Sequence, residues 1–209
     1  MKLFEFKNVK YKHILDIDDL SFEGGRITTL QGKSGGGKTT ILKLLNKMIS
    51  PCSGEILYNG KPLHDINSVE HRHNVVMLSQ NSIIFSGSIA DNLNIALKFQ
   101  DQEPASEQKL KDILEQLELD KKLDDDAYSL SGGEKQRLAL GRILLLNPDV
   151  YLFDEPSASL DDTTEEFIIN MLTSHVKKKN KTAIIVTHSK DMARKYSDII
   201  FEVKDGRVK

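Results

Sequence analysis

Gly32-Lys33-Ser34-Gly35-Gly36-Gly37-Lys38-Thr39-Thr40 is the stretch whose reading decides the rest of the chain. Gly32, Gly37, Lys38 and Thr39 stand at the fixed positions of a G-x-x-x-x-G-K-[ST] loop. Glycines let successive backbone N–H groups curl around a polyphosphate. Lys38 reaches the β- and γ-phosphates, the Thr39 hydroxyl takes a magnesium position, and Lys33, Ser34, Gly35, Gly36 and Thr40 complete the cradle. The helix that starts there adds the positive end of its dipole. A glycine-rich turn ahead of a helix is the plainer alternative, but at average residue usage the pattern arises by chance in under about one 200-residue chain in a hundred. Its surroundings also fit. Ile27 to Leu30 is an apolar, β-branched run, and Ile41, Leu42, Leu44 and Leu45 follow at helical spacing, the strand, loop and helix order that such a loop needs.

The 209 residues suffice for one large domain, or a core with a subdomain, that folds without covalent staples. Cys52 is the only cysteine, so no intrachain disulfide is possible and a reducing compartment is expected. With 29 Lys and Arg against 31 Asp and Glu, the formal charge of -2 gives no bulk electrostatic reason to expect a nucleic-acid partner. The opening MKLFEFKNVK interleaves charged and apolar residues and lacks the apolar core of a signal peptide, so the chain reads as not exported. Leu138 to Leu146, the most apolar stretch, is too short to span a bilayer and carries Arg142. A membrane role is therefore expected to come from a partner.

Along the chain, Leu3, Phe4 and Phe6, then Ile14 to Phe22, predict two short strands at the edge of a sheet. Tyr11 lies between them, as an adenine-stacking ring or as a half-buried sheet residue. GEILYNG, Gly54 to Gly60, predicts a strand closed by an Asn-Gly turn. His64, His71 and His73 cluster in a polar segment without a cysteine and read as solvated rather than metal-binding. Asn74 to Ser79 is of buried-strand length and delivers Gln80 to the carboxyl edge of a sheet, where α/β folds place ligands. Ile83, Ile84 and Phe85 then form an apolar cluster before Ser86-Gly87-Ser88, which reads as a docking surface.

From Asp91 to Asp126 the pattern turns helical and charged, with Leu110, Ile113, Leu114 and Leu117 on one face and Asp124 to Asp126 as a solvated exit loop. LSGGEKQR, Leu130 to Arg137, is a helix start: Ser131 and Glu134 have capping-box spacing, and Gly132 and Gly133 bare backbone N–H groups as a second anion site. That helix is expected to end near Asn147-Pro148. Val150 to Phe153 predicts a strand that carries Asp154 and Glu155 to the same edge. Two adjacent carboxylates beside an apolar core cost several kcal/mol without a cation, so a Mg²⁺–phosphate site explains them better than a structural role. Ala183 to Val186 predicts another strand, ending in Thr187-His188, and Ile199 to Val203 and the tail after Gly206 read as closing strands.

Six of these motifs, in this order and over nearly the whole chain, make the sequence resemble the nucleotide-binding subunit of ABC transporters. The resemblance matches Tyr11 to the adenine-stacking aromatic, Gly32 to Thr40 to the Walker A loop, and Gln80 to the Q-loop glutamine. Leu130 to Arg137 matches the signature motif, Val150 to Glu155 Walker B, and His188 the switch histidine. One departure lies in the D-loop, where the family commonly has S-A-L-D and this chain has Ala158-Ser159-Leu160-Asp161, without the leading serine.

The resemblance implies an α/β fold: a P-loop NTPase core with a mainly parallel sheet, an N-terminal antiparallel β subdomain and an inserted small α-helical subdomain. It implies one domain over residues 1–209, with the core at 1–90 and 150–209 and the helical part at about 91–149. ATP and Mg²⁺ are the implied ligands. Thr39, Gln80 and Asp154 stand on the metal side, Asp154 through water, and Glu155, His188, Lys38 and Gln80 form the catalytic set. The resemblance further implies head-to-tail pairing of two copies, so that Ser131, Gly132, Gly133 and Glu134 of one face the γ-phosphate held by the other, with Asp161 near the shared boundary. An integral membrane permease is implied to dock near Ile83, Ile84 and Phe85, which puts the chain peripherally on the cytoplasmic face of the plasma membrane. FSGSIADNL, Phe85 to Leu93, resembles export-type members more than importers, so export is the expectation.

Two other readings compete. A soluble member of the same family acting in cluster assembly, translation or DNA maintenance would need no permease, but the tandem domains or long coiled coils of such proteins are not seen in the sequence. A P-loop kinase shares Gly32 to Thr39 and leaves LSGGEKQR and Glu155 unexplained.

Overall fold

The computed structural model describes residues 1–80, 83–156 and 162–209, without the side chains of 162 and 163. In chain order the elements are β1 (Lys2–Tyr11), β2 (Leu15–Glu23), β3 (Ile27–Gln31), α1 (Lys38–Leu45), β4 (Ser53–Tyr58), β5 (Lys61–Pro62), α2 (Ser68–Asn74), β6 (Val75–Leu78), α3 (Ile89–Lys98) and α4 (Glu107–Gln116). They continue as α5 (Gly132–Leu146), β7 (Val150–Asp154), α6 (Asp162–Lys178), β8 (Thr182–Val186), α7 (Lys190–Tyr196), β9 (Ile199–Lys204) and β10 (Arg207–Val208). Among the described residues the strands make two sheets, β2-β1-β4-β5 and β10-β9-β3-β8-β7-β6. The first is antiparallel throughout; the second is parallel except where β10 folds back on β9.

Alternation along the central strands explains the layering. Side chains of a strand point to opposite faces in turn. Val150 and Leu152 of β7, with Ile184 and Val186 of β8, join Phe4, Phe6, Ile17, Phe22, Ile41 and Leu42, so one face of the parallel sheet packs on α1 and the antiparallel sheet. Tyr151 and Phe153, with Ala183 and Ile185, face the other way onto Leu93, Leu114, Leu138, Ile168 and Leu172 of α3 to α6. Strands buried on both faces read as continuous apolar runs, which is why β7 and β8 were legible without any alternation.

Register sets the functional edge. Leu30 pairs with Val186, Asp154 with Val186, and Leu78 with Phe153. The carboxyl ends of β3, β8, β7 and β6 are therefore level, and the segments that leave them emerge side by side. The helix after Gly133 ends at Leu146 with Asn147 in a left-handed cap, φ 46°, ahead of the proline that stops it.

Two local expectations change and a third gains detail. The first strand is longer than the apolar pattern predicted, because β1 runs unbroken from Lys2 to Tyr11 and pairs with both β2 and β4, whereas β2 keeps the predicted length, shifted by one residue. Asp124 to Asp126 form the largely exposed turn expected, and two of its residues also hold it in place: the Asp125 carboxylate accepts from the Lys122 N–H at 2.9 Å, and Asp126 bridges to Ser88 and caps the Tyr128 N–H at 3.0 Å. His71 is buried, not solvated. Helix α2 turns its ring edge-on to Tyr58, 5.0 Å between centroids, and its Nε2–H donates to the Leu45 carbonyl at 2.7 Å.

That burial leaves Nδ1 of His71 without a hydrogen-bond partner among the described residues, and desolvation lowers the pKa of the ring below 6.5. A base depressed in the folded state contributes stability above its unfolded pKa and loses it as pH falls below that value. We expect the melting temperature to drop by a few degrees between pH 7.5 and 5.5, and His71→Gln, which keeps an N–H for Leu45, to remove part of that drop. An unchanged pH slope in His71→Gln would exclude the buried ring as its cause.

Candidate functional site

The site is assembled from the ends of four parallel strands. Gly37 caps α1 with φ 104° and no side chain, so the first N–H groups of that helix are left to a ligand. Lys38 is 5% exposed, and its ammonium donates to the Gly32 and Lys33 carbonyls at 2.8 and 3.0 Å, closing the loop on itself. Desolvation lowers its pKa, partly offset by the Glu155 and Asp154 carboxylates. Lys33, Ser34 and Gly35 are exposed at the tip, while Thr39 and Thr40 are half-buried.

At the end of β7, Asp154 is 5% exposed and accepts from the Thr39 hydroxyl at 2.9 Å, tying the phosphate loop to the neighbouring strands. Burial raises its pKa; the Thr39 hydrogen bond opposes this, and the adjacent Glu155 charge adds to it. Glu155 leaves the strand in a left-handed conformation, φ 51°, with its N–H on the Val186 carbonyl at 3.1 Å. Such backbone costs a residue with a Cβ about 1–3 kcal/mol, and here it aims a carboxylate. Glu155 is held from two sides, by His188 Nε2 at 2.7 Å and by the Gln80 amide at 3.2 Å.

The structure thus brings Gly32 to Thr40, Gln80, Asp154, Glu155 and His188 together. Gln80 touches Glu155, whereas Thr39 and Asp154 touch each other, so the metal role expected of Gln80 has no direct contact behind it here. The hydroxyl and carboxylate of Thr39 and Asp154 are hard oxygen donors, and the uncompensated burial of Asp154 is the feature a cation relieves. Among the described residues no three acidic, histidine or cysteine side chains cluster as a metal cage. This fits Mg²⁺, which takes one or two protein oxygens and completes its shell from phosphate and water.

Tyr11 ends β1, half-buried against the core, with Lys12 Nζ 5.4 Å from its ring centroid. Ser131 caps α5 as expected: its hydroxyl accepts from the Glu134 N–H at 3.3 Å, while the Glu134 carboxylate accepts from the Ser131 N–H at 2.8 Å. Gly132 stays exposed and Gly133 half-buried. Among the described residues no hydrogen bond or ion pair joins Ser131 to Glu134 with Gly32 to Thr40. Asp161, with the rest of the D-loop, lies outside the described residues. Ile83 is 67% exposed, and its carbonyl accepts from Arg142, which desolvation brings down to about 10. Two contacts were missed in the sequence: the Gln136 amide on the Pro156 carbonyl, which anchors α5 beside Glu155, and the Asp205-Gly206 turn beneath the phosphate loop. Only the second had a signal, as Asp-Gly between two strands marks a tight hairpin.

A family model described as ABC transporter matches residues 15–158. The tungstate uptake system ATP-binding protein TupC of Peptoclostridium acidaminophilum is 32% identical over 196 residues, covering 93% of this chain and 89% of that one. A bacterial Atm1-family ABC exporter with ATP bound superposes with a TM-score of 0.87 at 27% identity, over 100% of this chain and 38% of the exporter. A dimeric ATP-binding cassette in a post-hydrolysis state, bound to ADP and Pi, superposes with a TM-score of 0.86 at 27% identity, over 99% of this chain and 97% of that one.

Glu155 is aimed by its backbone and gripped by two neighbours, so substituting it tests the catalytic role that the resemblance implies for it. Glu155→Gln keeps the shape but removes the charge and exchanges one of the two acceptor oxygens held by His188 and Gln80 for an N–H donor. We expect it to lower the steady-state hydrolysis rate by about 10²–10⁴-fold while equilibrium binding of ATP stays within about threefold. Hydrolysis within about twofold of the unsubstituted chain would place the base elsewhere.

Proposed function

This chain belongs to the ABC transporter family as an ATP-binding, ATP-hydrolysing subunit, and from that premise we propose that it energises a separate integral membrane permease. No helix among the described residues is long and apolar enough to cross a membrane. The observation that carries the reading is the bracketing of Glu155 by Gln80 and His188 beside the Thr39–Asp154 pair, with Gln80 leading directly into the exposed Ile83. In this reading residues 1–90 and 150–209 form the catalytic core and about 91–149 a helical unit that carries the signature.

The chemistry is in-line attack of water on the γ-phosphorus of ATP. Glu155 orients the water and receives its proton; Lys38 exchanges its two loop carbonyls for β- and γ-phosphate oxygens. His188 holds the γ-phosphate once Glu155 releases it, and Gln80 reports whether the site is filled. Thr39, and Asp154 through water, would hold a Mg²⁺ ion, which would supply charge neutralisation for the phosphates. Tyr11 stacks on the adenine. Among the described residues no hydrogen bond or ion pair joins the Ser131 to Glu134 helix start to the same chain's phosphate loop, and we assign that start to a second copy, in the head-to-tail manner of a homodimer, with Asp161 at the boundary. Ile83, Ile84 and Phe85 are the permease-docking residues, placing the subunit on the cytoplasmic face of the membrane.

On direction, the resemblance of Phe85 to Leu93 to exporters points one way and TupC the other. TupC is named for uptake and is matched along 89% of its length, whereas the exporter is matched over 38% of its chain. We favour uptake over the export expected from the sequence. A permease-free role is not favoured.

Shared sites make a specific demand. Ser131→Arg spoils the signature and Lys38→Ala the phosphate loop, so each variant alone should be inactive. Mixed one to one, half of the dimers should pair the two variants and hold one intact site of two, restoring about one quarter of the unsubstituted ATPase rate. A mixture as inactive as its components would contradict the shared site.

A further inference from the structure

The turn that ends the parallel sheet does more than join β9 to β10. Asp205 and Gly206 have φ of 50° and 76° between the paired Lys204 and Arg207, a two-residue hairpin with both central residues left-handed. Gly206 is buried although it sits at a turn. Its N–H donates to the Gly36 carbonyl at 3.3 Å, and its carbonyl accepts from the Asp16 N–H at 2.9 Å. One peptide residue therefore joins the phosphate loop to Asp16 near the start of β2, two residues beyond the turn in which the Ile14 N–H donates to the Tyr11 carbonyl at 3.0 Å.

Close packing reinforces these bonds. A Cβ on Gly206 would lie 2.2 Å from the Ile14 carbonyl oxygen, one on Gly37 2.5 Å from Leu15 Cδ2, and one on Gly32 2.0 Å from the Val203 carbonyl oxygen. Gly206 thus meets the Ile14 backbone and Gly32 the Val203 backbone, while Gly37 packs on the Leu15 side chain, and none of these three glycines has room for a Cβ. The chain holds a ready comparison. Asn59-Gly60 is the same turn, with φ of 50° and 76° between Tyr58 and Lys61, but a Cβ on Gly60 meets nothing within 4 Å.

We propose that Gly206 is a positioning residue for nucleotide binding: it fixes the distance between the Tyr11 end of the site and the phosphate loop, and so matches the site to a ligand carrying both a base and a polyphosphate. Gly206 touches no nucleotide itself. It acts through Gly36 and Asp16, and it lies outside the Gln80, Glu155 and His188 constellation that performs the chemistry. Losing it should therefore weaken ATP binding far more than it slows turnover of bound ATP. The inference rests on the reading of Gly32 to Thr40 as the ATP site. An unsubstituted chain that failed to bind ATP would fail that reading, whereas a Gly206 variant that bound normally would fail only this one.

The test compares Gly206→Ala with Gly60→Ala in the full-length chain, reading equilibrium binding of ATP and of inorganic tripolyphosphate, each with Mg²⁺, and KM against kcat for ATP. Both variants carry the strain of alanine at positive φ; only Gly206→Ala presses on Ile14. We expect Gly206→Ala to raise Kd and KM for ATP by about tenfold with kcat within about threefold of the unsubstituted value, Gly60→Ala to leave both within about twofold, and tripolyphosphate affinity to fall less than ATP affinity. A single glycine inserted after Asp205 avoids the clash and moves Gly206 out of reach of Gly36 and Asp16. It should reproduce the loss of ATP affinity, while the same insertion after Asn59 should not. ATP affinity equal in the two alanine variants, or a fall in kcat at unchanged KM, would overturn the assignment.

Discussion

The hydrogen bond between the Thr39 hydroxyl and the buried Asp154 carboxylate is the contact on which the rest of the site depends. It joins the first turn of α1 to the last residue of β7, where it meets a carboxylate at 5% exposure. Lys38 is equally buried and spends its charge on two carbonyls of its own loop. The apolar core beneath holds both charges where water cannot fully solvate them, so burial raises one pKa and lowers the other. In the proposed function, a ligand that brings phosphate oxygens to the lysine and a divalent cation to the carboxylate would relieve both.

Much of this was legible in the sequence because the phosphate loop, the two carboxylates and the strand-end Gln80 and His188 each follow an apolar run long enough to be a buried strand. What periodicity cannot supply is which strands are neighbours. The order β3-β8-β7-β6 puts Thr39 against Asp154, and Gln80 and His188 on either side of Glu155, and it comes from crossover connections far apart in the chain. His71 shows the opposite failure. Its polar neighbours made it look solvated, yet one helical turn presents it to Phe4 and Tyr58, and a backbone carbonyl at the end of α1 satisfies its donor.

The same constraint connects binding to motion. Glu155 at rest is held by His188 and Gln80 rather than standing free, and Gln80 precedes the exposed Ile83, whose carbonyl Arg142 holds from α5. Helix α5 begins at the Ser131 cap and is tied by Gln136 to the carbonyl next to Glu155. In the proposed mechanism, a phosphate that draws Lys38 and His188 to itself would disturb contacts that reach Ile83 through Arg142 and the Ser131 cap through Gln136.

Thermal unfolding with a slowly hydrolysed ATP analogue, with and without Mg²⁺, tests the central claim most directly when the unsubstituted chain is compared with Asp154→Asn. A carboxylate whose folded-state pKa is raised costs stability at neutral pH, because its contribution is full below the unfolded pKa and lost as pH rises through the folded one. Asp154→Asn, which keeps an oxygen for Thr39, should therefore melt higher than the unsubstituted chain without ligand. At saturating analogue and Mg²⁺ the order should reverse, the unsubstituted chain gaining about 5–10 °C and the variant much less. A variant that melts lower without ligand, or a gain in the unsubstituted chain that is the same without Mg²⁺, would contradict a buried charge waiting for its cation.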